Sequence, residues 1–348
     1  MRIEHLAAVS VAALSLGTLA LATTATAAGA YKPPLAADGH PDLQGNWTTA
    51  TITPLTRNPK LGDRNVLTKQ EADNLEQATQ AQIARADAPT PANATVKDLK
   101  NADCGPDGIS GFNCGYNQGW KDPGTKLIDI NGEKRASILT SPANGQFPPR
   151  APGAPDPRAM RARMASRTDN PETFGLGERC LLSFGSSAGP PMLPLMYNNT
   201  YQIVQTKDEI AIDVEMVHDV RHIHMNAQHG PSNVKLWMGD SVGHWEGDTL
   251  VVETTNMRPE QGLRGGSPNQ KVVERFRRIG PTSLSYQFTV EDPAYTAPYS
   301  GEVQMRATKG QVYEYACHEG NYALTGMLAG ARSEEKQAAA AKAKSGGE

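Results

Sequence analysis

Ile210, Ile212, Val214 and Met216 alternate with Ala211, Asp213 and Glu215. A period of two sends alternate side chains to opposite faces of a strand, so this run belongs in a sheet with one face buried. The surrounding stretch reads the same way. Tyr201–Gln205 and Glu209–Val217 flank a Thr-Lys-Asp turn, and Leu236–Met238 and His244–Trp245 are short candidate strands. Thr249–Thr254 leaves the Glu246-Gly247-Asp248 turn. Val272–Ile279 and Leu284–Glu291 make one further hairpin, and Glu302–Ala307 and Gln311–Cys317 another. Seven or eight short strands joined by hairpins predict a mainly β fold, an antiparallel barrel or a curled sandwich. Nothing reads as a βαβ crossover, which argues against a dinucleotide-binding fold. The 33 glycines and 25 prolines favour turns over a helical bundle.

The β domain should run from about 170 to 330, with an irregular region at 28–169 packed on it and short helices only. Residues 28–67 look extended. Thr68-Lys69-Gln70-Glu71 is a capping box, and Ala72, Leu75, Ile83 and Ala86 follow at near-helical spacing, predicting a helix over 68–86. A loop at 87–126 precedes a short strand at 126–130. Six prolines between 141 and 157 demand an irregular connection, and Arg158–Arg167 reads as a short basic helix. The Ala/Lys/Glu-rich end, 331–348, is expected to fray.

Arg2 followed by the weakly apolar run Leu6–Ala22 and by Ala25-Thr26-Ala27 has the layout of an export signal, predicting cleavage near Ala27. No later segment is apolar enough to span a bilayer. An exported chain with four cysteines suggests two disulfides. Cys104 and Cys114 lie in one glycine-rich loop and are expected to pair, leaving Cys180 with Cys317. The rival, a nucleophilic Cys317 using His318, is disfavoured because neighbours on a strand point to opposite faces.

Several longer motifs belong together: Gly-Glu-Arg-Cys-Leu at 177–181, Tyr-Asn-Asn at 197–199, and Glu-Met-Val-His-Asp-Val-Arg at 215–221. With them go the run from Trp237 to Thr254 and Tyr-Glu-Tyr-Ala-Cys-His-Glu-Gly-Asn-Tyr at 313–322. Over most of the chain after residue 40 this set resembles a family of exported bacterial proteins, common in acidobacteria and proteobacteria. The resemblance implies a periplasmic or secreted protein and brings no catalytic residue with it. The pair His222-x-His224 departs from the family's pattern. Gly45-x-Trp47 is similar, over three residues, to the opening of lipocalin-type barrels.

Five of the eight histidines fall between 218 and 244: His218, His222, His224, His229 and His244. On an unbroken strand His218, His222 and His224 would share the inward face of Ile210–Met216. Such a strand would be too long, so a bend near His218-Asp219 is expected, and a one-residue slip there would reverse the facing. Facing one way, His222 and His224 with His229, His244 or Asp240 have the residue types for a metal; the plainer alternative is solvated imidazoles. His218 with Glu215 and Arg221 is the better acid–base set. Imidazole titrates near neutrality, a carboxylate fixes its tautomer, and a guanidinium can steady an oxyanion. Arg221 could equally pair with Asp219 on the same face. Gly239-Asp240-Ser241 starts like an esterase motif, but a hairpin signal follows where a helix is needed, which argues against a serine hydrolase.

With three more acidic than basic residues, the charge gives no reason to expect nucleic acid. With no glycine-rich phosphate loop, the expectation is an exported small-molecule enzyme without an organic cofactor. It would eliminate, isomerise or hydrolyse a moderately apolar oxygenated compound in a barrel cavity. His218, Arg221 and Glu215 would be catalytic, and His222, His224, Trp245, His318 and Glu319 would bind substrate. Two alternatives stand beside it: a periplasmic carrier with the same cavity, and a metal-dependent enzyme built on the histidine cluster. The sequence leaves the oligomeric state open.

Overall fold

The alternating runs become staves of a barrel. The computed structural model describes residues 31–87, 89, 92–93, 121–154, 156, 168–183, 189–258 and 266–345. The export segment, the Cys104–Cys114 pair and the basic stretch 158–167 lie outside them. The barrel belongs to the unit Pro33–Glu348.

Among the described residues twelve strands form: β1 Gly45–Thr48, β2 Asp129–Ile130, β3 Glu133–Lys134, β4 Leu139–Ser141, β5 Thr200–Gln205 and β6 Glu209–Val214. They continue with β7 Asp219–Met225, β8 Asp240–Glu246, β9 Thr249–Thr255, β10 Lys271–Gly280, β11 Ser283–Glu291 and β12 Tyr299–Ala307. Nine of them, β1 and β5 to β12, pair in sequence, and β12 returns to β1 through Trp47–Ala307 and Thr48–Arg306. That pairing closes the barrel and removes the open edges of the sheet. Every junction is antiparallel except β7–β8, where Ile223, His224 and Met225 run alongside Ser241, Val242 and Gly243. β4 adds to the end of β12, and β2 and β3 form a separate hairpin.

Closure explains why Gln311–Cys317 makes no hairpin with β12. The edge it would have used is taken by β1, whose Asn46 carbonyl accepts from Thr308 N at 2.9 Å. One barrel stave thus comes from the N-terminal region, outside the β domain expected at 170–330. Of the two short strands expected at 236–238 and 244–245, the second lies within β8, whereas 236–238 forms no strand and Leu236 makes only an isolated parallel bridge with Met257.

Helix α1, Lys69–Ala86, starts on the capping box: Glu71 N donates to Thr68 Oγ1 at 3.2 Å and Thr68 N to Glu71 Oε2 at 2.8 Å. It buries Ala72 and Glu76 and leaves Leu75 half exposed, because Glu76 accepts from Lys126, Lys134 and the Leu127 amide. Helix α2, Ala323–Ser345, carries the Ala/Lys/Glu-rich end, residues of high helix propensity. Arg332 ties it to the carbonyls of Thr168 and Asp169. No described helix is long and apolar enough to cross a membrane.

The barrel is filled. Trp47, Tyr201, Ile212, Ile223, Val252, Phe276, Tyr286, Phe288 and Val303 all point inward and are at most 2% exposed. Met192 and Leu193, from the loop before β5, are buried in the same cluster. Gly301 leaves room for the Phe288 ring, which a Cβ at that position would strike.

Candidate active site

β6 ends at Val214, and the chain turns through a short 3-10 segment, Met216–His218, before β7 begins at Asp219. Val217 and His218 take φ angles of 67° and 43°, a left-handed region that β-branched residues avoid. The turn reverses the facing. Even positions point inward on β6, whereas Arg221, Ile223 and Met225 point inward on β7. His222 and His224 therefore face out, opposite to the continuous-strand expectation.

The expected trio of Glu215, His218 and Arg221 is split by the same reversal. Arg221 is buried in the barrel, donating to Glu274 at 3.0 and 2.6 Å. Tyr286 Oη donates to the same carboxylate at 2.7 Å and accepts from Met192 N at 2.8 Å. Burial alone would lower the Arg221 guanidinium, but the Glu274 charge and hydrogen bonds more than offset it, leaving it raised. Burial and the Glu274 charge push the Tyr286 phenol far up, and burial does the same to Tyr201. Arg221 thus braces the barrel interior, and its partner is Glu274 rather than Asp219. Glu274 was legible: it shares parity with Val272 and Phe276, an acid on an apolar face.

Glu215 and His218 remain at the barrel end. Glu215, 5% exposed, accepts from Thr200 N at 3.2 Å and from Tyr313 N at 3.5 Å. It holds backbone rather than imidazole. His218 is exposed, and its Nδ1 lies 3.1 Å from the Tyr315 carbonyl oxygen. Asp219 shares the inward parity of β7 at the barrel's rim. Its Oδ2 is sealed from solvent and has no hydrogen-bond partner among the described residues. Burial pushes its carboxyl up to about 6, with the nearby His218 opposing the rise. Asp213, half buried, is also raised by burial; His218 opposes the rise and Glu215 adds to it. A carboxyl titrating near 6 beside an imidazole can give and take protons close to neutral pH.

The other candidates scatter. His222 bonds Glu209 on the outer surface, and His224 is exposed. His229 sits between Asp240 at 3.2 Å and Glu253 at 3.4 Å. His244 pairs with Glu246 at 3.2 Å. His222, His229 and His244 meet different carboxylates, and among the described residues no group of three or more His, Cys, Asp or Glu is arranged to hold a metal ion. Trp245 stacks on His40 with ring centroids 4.8 Å apart. His318 and Glu319 are exposed next to Cys317, which is bonded to Cys180. Ser241 is buried and shares a hydrogen bond with Thr254 Oγ1 at 2.8 Å, so it is no exposed nucleophile. Glu178 is exposed and accepts from Gly175 N.

Two open grooves lie elsewhere. One of about 400 Å³ lies along β10–β12 between Arg275, Gln287, Thr289 and Ser300. Another, about 360 Å³, is lined by Lys271, Asp292 and Tyr295. Neither includes His218 or Asp219. No protein-family model, curated protein or solved structure matches the chain. The barrel supplies an architecture, and an activity has to be argued from its sites.

Proposed function

We propose that this is an exported bacterial enzyme, periplasmic or secreted, that works by acid–base chemistry without an organic cofactor. It eliminates, isomerises or hydrolyses a moderately apolar oxygenated small molecule at the barrel end carrying Asp219 and His218. The observation that carries this reading is the Asp219 carboxyl, with one oxygen sealed and unpartnered and its titration raised to about 6. Near neutrality such a group is mostly an unsatisfied carboxylate, a suitable base, and its conjugate acid stays accessible. The neighbouring His218 supplies the second proton-transfer group, one exposed to solvent where a substrate can reach it. Because the interior is packed with side chains, the reaction belongs at the rim and not in a central cavity. Arg221, committed to Glu274, takes no part in charge stabilisation. The Cys180–Cys317 disulfide is compatible with export.

The test is turnover of pooled lactones, esters and β-hydroxy carbonyl compounds by the wild-type protein, Asp219→Asn and His218→Ala, with product detected by mass. Expected are losses of about 10²–10⁴ in each variant, and loss in Asp219→Asn of a pH–rate limb near 6. Equal turnover per folded molecule in all three would overturn the assignment. Saturable binding without turnover would overturn it in favour of a carrier.

A further inference from the structure

Residues 308–316 leave β12 without forming secondary structure and run back to the turn between β6 and β7. Three ties hold this segment there. Tyr313 N donates to Glu215 Oε1 at 3.5 Å, the Tyr315 carbonyl meets His218 Nδ1 at 3.1 Å, and Cys317 is bonded to Cys180. Cys180 is anchored in turn: its amide donates to the Gly177 carbonyl at 3.1 Å, and its sulfur accepts from Asn321 Nδ2 at 3.5 Å.

A carbonyl oxygen can only accept. Its contact with His218 therefore requires the imidazole proton on Nδ1, which leaves Nε2 with the lone pair. The Tyr315 carbonyl selects which nitrogen is the base, as outer partners do for metal-bound histidines. That carbonyl belongs to a segment with no ladder of its own, and the nearest covalent anchor is two residues further along the chain.

We propose that the Cys180–Cys317 disulfide is a positioning device for His218, holding the Tyr315 carbonyl that fixes its tautomer, and that reduction of this bond disables the site. The reductant is an extracytoplasmic dithiol. One thiolate attacks a sulfur of the bridge to give a mixed disulfide, and the second displaces it. The dithiol leaves as a disulfide, having passed two electrons and two protons to Cys180 and Cys317 as thiols. The regulatory half rests on the catalytic reading of His218 given above; the positioning half does not.

The experiment follows the imidazole nitrogens of His218 by long-range ¹H–¹⁵N correlation in ¹⁵N-histidine protein at about pH 8.5, above the ordinary imidazole range. Wild-type protein is compared with Cys180→Ser/Cys317→Ser, which leaves the other two cysteines untouched. A second variant, with one glycine inserted between Tyr315 and Ala316, keeps the disulfide and displaces the carbonyl, should the first fail to fold. Expected is a proton on Nδ1 in the oxidised wild type and its transfer to Nε2 in both variants, with turnover falling at least tenfold. A proton on Nε2 in the wild type, or one tautomer throughout, would overturn the positioning. A tautomer that moves while His218→Ala retains full turnover would overturn the catalytic reading alone.

Discussion

Removing one member of the Arg221–Glu274 pair should cost far more than removing both. The side chains are 1% and 0% exposed and meet at 2.6 Å, so Glu274→Leu strands a guanidinium in the barrel interior. Breaking such a buried pair costs about 3–5 kcal/mol, because the surviving charge keeps its desolvation penalty and loses its partner. Glu274→Leu also takes the acceptor from Tyr286 Oη, a loss of about 1–3 kcal/mol that overlaps the first. Arg221→Met should cost about the same as breaking the pair from the other side, since it leaves a carboxylate that must be protonated or stay unpaired. Arg221→Met/Glu274→Leu removes both charges, keeps the interior filled, and leaves Tyr286 Oη its contact with Met192 N. Replacing a whole buried pair by apolar side chains is often neutral. The double variant should therefore lie within about 2 kcal/mol of wild type, with a coupling of at least ~3 kcal/mol. Urea unfolding of the four proteins, with midpoints and slopes compared, measures it. Single effects that add to the double within ~0.5 kcal/mol would show that the pair is not the brace described here.

Asp219→Asn should stabilise the protein at neutral pH. The folded carboxyl titrates near 6 and the unfolded one near 3.9, so the folded state holds the proton more tightly between those values. The stability contribution is then fully present below about pH 4, falls as pH rises through the window, and is gone above about 6. The shift corresponds to roughly 3 kcal/mol, cut to about 1–2 by solvent around the partly exposed side chain. Melting temperatures at pH 4 and 7.5 should differ between variant and wild type only at the higher pH; an equal gap at both would refute the cause given. Gly301→Ala places a Cβ against the Phe288 ring and 2.9 Å from the Ile138 carbonyl oxygen. It should cost about 1–3 kcal/mol as overpacking, read as a lower urea midpoint with unchanged slope, and an unchanged midpoint would mean that the ring moves freely.

The period of two located most of the barrel because each stave buries one face. What it did not carry was closure. The pairing of β12 with β1 joins residues about 260 apart, and the only local mark on Gly45–Thr48 is the three-residue Gly45-x-Trp47 likeness, which does not name its partner. Gln311–Cys317 has a strand-like pattern of its own and would pair with β12 if that edge were open. The Thr68–Glu71 box, by contrast, was wholly local and gave the start of α1 correctly. Cys180–Cys317 followed from pairing the two cysteines within one loop and taking the remainder, an argument from counting that needed no geometry.

The candidate site turned on one short bend. Val217 and His218, both at positive φ, slip the parity between β6 and β7, and that slip decides which polar residues of β7 face in and which face out. His222 and His224 go to solvent, where each can meet water at no cost, whereas Arg221 goes inside, where it must find an anion. An anion on an apolar face is itself readable, and Glu274 between Val272 and Phe276 is one. Two opposite charges, each intruding on an inward face of one closed barrel, are each other's cheapest solution, because leaving either alone costs several kcal/mol. That constraint accounts for both Arg221 donors reaching Glu274. Asp219 shares its inward parity but lies at the rim, with one oxygen unsatisfied. It gains no buried cation, and burial raises its proton affinity, the combination on which the proposed site at the end of the barrel rests.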